Sequence, residues 1–246
     1  MTTARLSEQL VEWLRSEVKA AGCEGLVFGL SGGVDSSTVA ILARRACRQH
    51  HLALILPIHS DPRDREDAHL LVEQFQLTHR EVSLSLVFDA FVEALGEGTG
   101  GARAAEMAMS NLKPRLRMAA LYYFANRNRY LVVGTGNRSE LTVGYFTKYG
   151  DGGVDLLPLG HLVKHEVREL AVQLGVPRSI VEKAPSAGMW SGQTDEAELG
   201  FSYQELDRYL VEGEGSVELA NQVRERRRHN QHKLRVPKMP PSGISR

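Results

Sequence analysis

The apolar run Leu26-Val27-Phe28-Gly29-Leu30 leads directly into Ser31-Gly32-Gly33-Val34-Asp35-Ser36. A stretch over 37–49 follows, whose Val39, Leu42, Ala43 and Ala46 recur at helical spacing. A short continuous apolar run has the character of a strand buried on both faces, and such a strand needs helices packed above and below it. In the turn between them, glycines let the backbone approach a ligand closely while N–H groups and hydroxyls point at it. This unit confines the chain to an α/β architecture with its ligand site beyond the carboxyl ends of the strands.

The alternation continues along the chain. Leu6, Leu10, Trp13, Leu14 and Val18 predict a helix over 3–21, and a strand follows at 52–58. Asp61-Pro62 opens a helix, with Asp suited to the N-cap and Pro to the first helical position. A third strand is predicted at 80–84, helices at 86–95 and 103–127 separated by a flexible Gly-containing stretch over 96–101, and a strand at 130–133 ending in Gly134-Thr135-Gly136. Beyond Gly150-Asp151-Gly152-Gly153, helices are predicted at 163–174, 203–210 and 216–229. An irregular stretch covers 184–195, and the Pro-containing tail over 236–246 reads as extended or flexible. The expected fold class is α/β, a doubly wound, mostly parallel sheet flanked by helices, in one domain over 1–246.

Composition removes several function classes. With 246 residues and 42% hydrophobic content the chain builds a substantial core, which excludes disorder. Thirty Lys+Arg balance thirty Asp+Glu, so general polyanion binding is disfavoured. Two cysteines are too few for a disulfide framework, the N-terminus lacks the apolar core of a signal peptide, and no apolar run approaches the roughly 20 residues that span a bilayer. A soluble cytoplasmic protein with neither a nucleic-acid nor a membrane partner is expected.

The loop over 29–37 is neither a Walker A loop, since the Gly-Lys-Ser/Thr ending is absent, nor a G-x-G-x-x-G fingerprint. With no lysine committed to terminal phosphates, γ-phosphoryl transfer becomes less attractive. Asp35 at the loop exit suits Mg²⁺, which takes few carboxylates together with substrate phosphates. The loop resembles that of the N-type ATP pyrophosphatases, which cleave ATP between its α and β phosphates. Further motifs narrow the resemblance: Asn111-Leu112-Lys113-Pro114-Arg115-Leu116-Arg117-Met118, Gly134-Thr135-Gly136-Asn137-Arg138-Ser139-Glu140 and the run from Gly144-Tyr145-Phe146 to Val154-Asp155. With Pro158-Leu159, Lys164, Gln193-Thr194-Asp195-Glu196 and His232-Lys233, nearly the whole chain is similar to the ammonia-dependent NAD⁺ synthetases.

That resemblance implies a Rossmann-like sheet of the adenine nucleotide alpha hydrolase type and a two-step ligase reaction. The nicotinate carboxylate of deamido-NAD⁺ would attack the α-phosphorus of ATP, and ammonia would then displace AMP. It implies that Gly29, Leu30, Ser31, Gly32, Gly33, Val34, Asp35 and Ser36, with Thr135, Lys164 and Ser186, contact ATP, and that Asp35 and Glu140 hold Mg²⁺. Arg115, Lys148, Asp155, His232 and Lys233 match positions that bind deamido-NAD⁺, and Asp35, Lys164 and Asp155 are the expected catalytic groups. Ser186 replaces the usual threonine, and Gly188 replaces an acidic residue. A homodimer is implied. The chain has no room for the glutamine-hydrolysing domain of longer relatives, so ammonia would be free or delivered by a separate protein.

Other signals read as structural. Glu140 also suits a helix start beside Asn137. His59, Asp61, Asp64, Asp67 and His69 match no metal motif, and His161 and His165 lack the glutamate of a zincin. The basic cluster Arg224-Glu225-Arg226-Arg227-Arg228-His229 reads as a solvated helix end, with phosphate contact by a C-terminal arm as the alternative. Two other classes remain open at this level: a related pyrophosphatase acting on tRNA, and a noncatalytic nucleotide sensor.

Overall fold

The computed structural model describes residues 3–96, 101–186 and 194–240. The N-terminal half alternates as expected: α1 (Thr3–Ala20), β1 (Gly25–Gly29), α2 (Val34–Ala46), β2 (His51–Ile55), α3 (Pro62–Phe75), β3 (His79–Glu81), α4 (Ser85–Leu95), α5 (Ala102–Asn128) and β4 (Tyr130–Val133). The remainder is helical: α6 (Arg138–Val143), α7 (Lys164–Leu174), α8 (Arg178–Val181), α9 (Asp195–Leu199), α10 (Tyr203–Glu212) and α11 (Val217–Asn230), closed by a 3₁₀ turn at Gln231–Lys233. The strands pair in parallel in the order β3-β2-β1-β4. The phosphate-loop strand is therefore central, with all carboxyl ends at one edge of the sheet.

Both faces of the sheet are covered, as the apolar runs require. Leu26, Phe28, Ala53, Ile55 and Val133 pack into a large core with α1, α2 and α7, while Val27, Leu54, Leu56 and Val132 pack against Ala125 and Leu121 of α5. The period of two sends neighbouring strand residues to opposite layers. A third cluster, from Val143 of α6, Leu199, Phe201, Tyr203, Leu206, Leu219 and Val223, holds the C-terminal helices together. Among the described residues no helix is long and apolar enough to cross a membrane.

The differences from expectation have local causes. The helix predicted from residue 37 begins at Val34 within the loop, because Gly33 takes the extended N-cap conformation and Ser37 Oγ turns back to donate to Gly33 O at 2.7 Å. The third strand pairs regularly only over His79–Glu81, yet Val82 N and Leu84 N still donate to Ile55 O and Pro57 O. Asp61 caps α3 as expected, accepting from Arg63 N at 2.9 Å. The stretch 97–100 of the expected flexible segment and residues 241–246 of the tail lie outside the described residues. Residues 236–240 form no regular element.

His51, at the start of β2, is buried and holds two elements together: its Nδ1 lies 3.1 Å from Cys47 O, and its Nε2 accepts from Thr78 N at 3.1 Å. Accepting at Nε2 while donating from Nδ1 requires the neutral ring. Burial pushes the imidazole below its ordinary value of 6.5. The unfolded chain therefore binds the proton more readily than the folded one, so this residue's contribution is present above pH 6.5 and is lost as pH falls below it. The advantage in Tm of the wild type over His51→Gln is expected to shrink on acidification from about pH 7.5 to about pH 5. A constant difference across that range, measured by thermal unfolding, would contradict this reading.

Candidate active site

Four polar segments converge where β1 and β4 end. Gly32 turns the loop with φ +79°, and a Cβ there would lie 2.3 Å from Asp64 O and 2.9 Å from Asp67 Cβ. The first turns of α3 thus lie directly against the loop, at a position that only glycine satisfies. Ser36 Oγ contacts Ser31 N at 3.2 Å and Ser31 Oγ at 3.0 Å, so the loop's hydroxyls brace its own curvature. Gly33, the N-cap of α2, supplies no side chain to the first N–H groups of that helix. Those groups face the cleft with the positive end of the helix dipole, a ready site for phosphate. Gly32→Ala is expected to lose about 2 kcal/mol or more through backbone strain and collision. Gly33→Ala, whose Cβ would meet only Ser31 Oγ at 3.5 Å, serves as the tolerated control in denaturant unfolding.

From β4 the chain passes Gly134 to Gly136 and enters α6 through a capping box. Asn137 Oδ1 accepts from Glu140 N at 3.0 Å, and Glu140 Oε2 accepts from Asn137 N at 3.1 Å. The same asparagine, fully buried, donates from Nδ2 to Asp35 Oδ1 at 2.9 Å. The start of α6 is thereby joined to the start of α2. Lys164, the first residue of α7 and 2% exposed, completes the cluster, its Nζ 2.5 Å from Asp35 Oδ2 and 3.1 Å from Glu140 Oε1. Its ammonium also lies 5.0 Å from the centre of the Tyr203 ring.

The electrostatics follow from two carboxylates and one ammonium at the wall of a cleft. Burial, reinforced by the charge of Asp35, pushes the Glu140 carboxyl upward against the pull of Lys164. Burial alone would depress Lys164, but Asp35 and Glu140 outweigh it and hold the ammonium charged well above the ordinary lysine range. The cluster keeps an excess of negative charge around a seat already occupied by a cation. Two convergent carboxylates beside a phosphate-binding helix end fit Mg²⁺, which takes one or two carboxylates together with substrate phosphates.

Behind Lys164 a layer continues that sequence reasoning did not assign. Asp195, buried, accepts from Tyr203 Oη at 3.1 Å and lies 3.2 Å from Tyr145 Oη, which also reaches Glu198 Oε2 at 2.7 Å. Asp195 N donates to Pro185 O at 3.0 Å, linking α9 to the residue just before Ser186. Asn137 carried a readable signal, an Asn three residues before a Glu. The Tyr145–Asp195–Tyr203 contacts carried none, because they join residues 50 and 8 apart in sequence, from the loop after α6 to α9 and α10.

Asp35, Glu140, Tyr145, Lys164 and Asp195 line a cleft of about 1010 Å³. That is at the upper end of small-molecule sites and leaves room for more than one nucleotide. Of the expected ATP set, Gly29, Leu30, Ser31, Gly33, Val34, Asp35, Ser36, Thr135, Lys164 and Ser186 line it. The acceptor set is more dispersed. Arg115 Nε donates to Lys148 O at 3.3 Å, Lys148 Nζ to His232 O at 2.8 Å, and Lys233 Nζ to Gly144 O at 2.7 Å and Phe146 O at 2.9 Å, forming a chain on one side of the cleft. Of these, Lys233 lines the cleft itself. Asp155 stands apart, accepting from Val132 N at 2.8 Å and Tyr122 Oη at 3.0 Å. Gly188 and Gln193 lie outside the described residues.

The residues read as structural have separate partners. His59 contacts Asp89 at 2.7 Å and His69 contacts Glu81 at 2.8 Å, while Asp64 and Asp67 both hold Lys183, at 2.7 and 2.6 Å. His165 lies 3.2 Å from Asp207. Arg226 is not merely solvated: its Nη2 donates to Glu198 O and Leu199 O, tying α11 to α9.

Over residues 6–237 the chain matches the NAD synthase family. It is 50% identical, over 95% of its length and 96% of the relative's, to the NH₃-dependent NAD⁺ synthetase of Carboxydothermus hydrogenoformans. Among solved structures, the NMN synthetase of Francisella tularensis superposes with a TM-score of 0.93 at 37% identity, covering 98% of this chain and 99% of that one. The NH₃-dependent NAD synthetase of Campylobacter jejuni superposes with a TM-score of 0.80 at 28% identity, covering 98% and 99%.

Proposed function

The chain belongs to the NAD synthase family, a family of amide-forming ligases, and from that premise we propose that it amidates deamido-NAD⁺ with ammonia at the expense of ATP. In the first half-reaction a nicotinate carboxylate oxygen attacks the α-phosphorus, a C–O–P bridge forms, and the bond to the β-phosphate breaks to release pyrophosphate. In the second, ammonia attacks the carbonyl carbon, AMP departs with the bridging oxygen, and the nitrogen loses its proton. A free carboxylate would have to expel oxide, whereas its adenylate expels AMP, so no protein nucleophile is required. Positioning, charge neutralisation and exclusion of water carry the catalysis.

The observation that carries this reading is the buried Asp35–Lys164–Glu140 cluster, joined by Asn137 to the start of the phosphate-loop helix. Asp35 and Glu140 would hold Mg²⁺, which when bound offsets the charge of the departing pyrophosphate. The N-terminus of α2 and the loop glycines hold phosphate oxygens, and Lys164 contributes a fixed positive charge beside them. Thr135 and Ser186 line the same cleft and offer hydroxyls to the nucleotide. Arg115, Lys148 and Lys233, with His232 beside them, supply cations and donors for the acceptor's phosphates, and Asp155, set apart from them, is assigned to the acceptor by the family resemblance. Phe91 and Leu95 of α4 and Tyr123 of α5 are large apolar side chains left exposed, which supports the homodimer that the family resemblance implies. Two free cysteines fit a reducing cytoplasm.

A second acceptor has a specific observation in its favour, since the structure superposing with a TM-score of 0.93 is that of an NMN synthetase. On that reading the acceptor is nicotinate mononucleotide, with the same carboxylate and no adenylyl half. Incubation with ATP, Mg²⁺, ammonium and either acceptor tests both readings. Stoichiometric AMP and pyrophosphate are expected, and the ratio of kcat/KM values identifies the acceptor. Stoichiometric ADP would overturn the proposed chemistry for both.

A further inference from the structure

Arg117 belongs to the cleft-facing stripe of α5, with Asn111, Pro114, Met118 and Leu121, and none of the roles above uses it. Its Nε donates to Leu56 O at 3.0 Å, just beyond β2, and its Nη2 reaches Ser60 Oγ at 3.4 Å. Three of its five N–H groups thus have no partner among the described residues. Nor does it form an ion pair among them. The carboxylates that attract it, Asp151 and Asp64, are engaged elsewhere, Asp151 with Thr147 N at 2.9 Å and Asp64 with Lys183 at 2.7 Å. Lys113 adds a further repelling positive charge nearby.

A guanidinium held in a protein wall without an anion is costly, and the cost is removed by a ligand that supplies one. The two carboxylates that attract Arg117 also locate it. Asp64 belongs to the turn of α3 that touches Gly32 of the phosphate loop, while Asp151 is held by Thr147 and feels the charge of Lys233, on the side assigned to the acceptor. Arg117 therefore lies between the two nucleotide halves of the cleft, its unused donors arranged as a planar fork suited to two oxygens of one phosphoryl group.

We propose that Arg117 is a phosphoryl anchor of this cleft, gripping a phosphate of ATP or of the acceptor nucleotide through the donors that its contacts with Leu56 and Ser60 leave unused. The proposal rests on the reading of the cleft as an ATP-dependent amidation site, and it makes Arg117 a binding group distinct from the cations already assigned. The bonds to Leu56 and Ser60 fix the orientation of the fork in advance, so little side-chain entropy is lost on binding.

The test is calorimetric titration of ATP with Mg²⁺, and separately of deamido-NAD⁺ and nicotinate mononucleotide, into wild type, Arg117→Met and Arg117→Lys. Without the second substrate no turnover interferes. Affinity for ATP, or for the acceptors, is expected to weaken about tenfold or more in Arg117→Met and by a smaller factor in Arg117→Lys, which keeps the charge and loses the fork. The class of ligand affected identifies whose phosphate is gripped. The rise in Tm that this ligand induces should shrink in parallel, whereas a clip that only joins α5 to β2 would lower the Tm of the free protein and leave that rise unchanged. Unchanged affinities for all ligands, or an unchanged ligand-induced rise in Tm, would overturn the proposal. If Arg117→Met does not fold, Arg117→Lys decides by the same criteria. A wild type that binds nucleotides but makes no AMP would refute the amidation reading and leave the titrations on Arg117 to be judged by themselves.

Discussion

Replacing Lys164 by methionine is expected to destabilise the protein by about 3–5 kcal/mol near neutral pH, the cost of leaving buried carboxylates without their counter-charge. Methionine fills a similar volume, so packing against Tyr203 changes little and the loss is chiefly electrostatic. Asp35 and Glu140 would face each other with only Asn137 bonded to both. The sign of the pH dependence follows from Glu140, whose carboxyl burial already pushes upward and whose remaining restraint is the charge of Lys164. With that charge removed the carboxyl rises further, so the folded variant binds a proton that the unfolded chain releases, and its stability increases as pH falls. Denaturant unfolding from about pH 8 to about pH 5 should show the gap to wild type closing. Excess Mg²⁺ should narrow it as well, by supplying the missing cation between the two carboxylates. A gap independent of both pH and Mg²⁺ would mean that Lys164 stabilises the fold by packing alone.

The second large effect is on turnover. Asp35→Asn preserves side-chain volume but removes one of the two charges that would hold Mg²⁺, and it turns an acceptor of Lys164 and Asn137 into a group that also donates. Loss of about a hundredfold or more in kcat/KM is expected, with the apparent Mg²⁺ requirement shifted to higher concentration. Glu140→Gln should shift the Mg²⁺ requirement in the same direction. Its side chain also caps α6, so its Tm serves as the control: the amide oxygen can still accept from Asn137 N, and stability should change less than turnover. If both variants kept an unchanged Mg²⁺ dependence, the metal assignment would be wrong.

Much of this arrangement was legible in the residues because local chemistry wrote it. The run from Leu26 through Ser36 specified strand, phosphate loop and helix in register, since alternating burial on two faces and glycine at a φ of +79° leave few other solutions. Asp61-Pro62 announced the start of α3. The helix α2 starts a turn earlier than the apolar spacing of Val39, Leu42, Ala43 and Ala46 predicts, because Gly33 caps it within the loop and Ser37 Oγ bonds back to Gly33 O. At Glu140 the helix-start reading holds, since one carboxylate oxygen completes the capping box, and the other oxygen is left to receive Lys164 at the cleft wall. What no periodicity carries is the convergence itself. Asn137 reaches Asp35 across 102 residues and Lys164 reaches it across 129, distances closed by the parallel sheet and by the packing of α7 on α2.

The central claim is that the carboxylate oxygen of the acceptor becomes bonded to the α-phosphorus before ammonia arrives. Deamido-NAD⁺ or nicotinate mononucleotide carrying ¹⁸O at both carboxylate oxygens, turned over with ATP, Mg²⁺ and ammonium, tests this directly by mass spectrometry of the products. The account predicts one ¹⁸O in each AMP formed, with none in pyrophosphate. Label in pyrophosphate, or AMP free of ¹⁸O while amide accumulates, would contradict it.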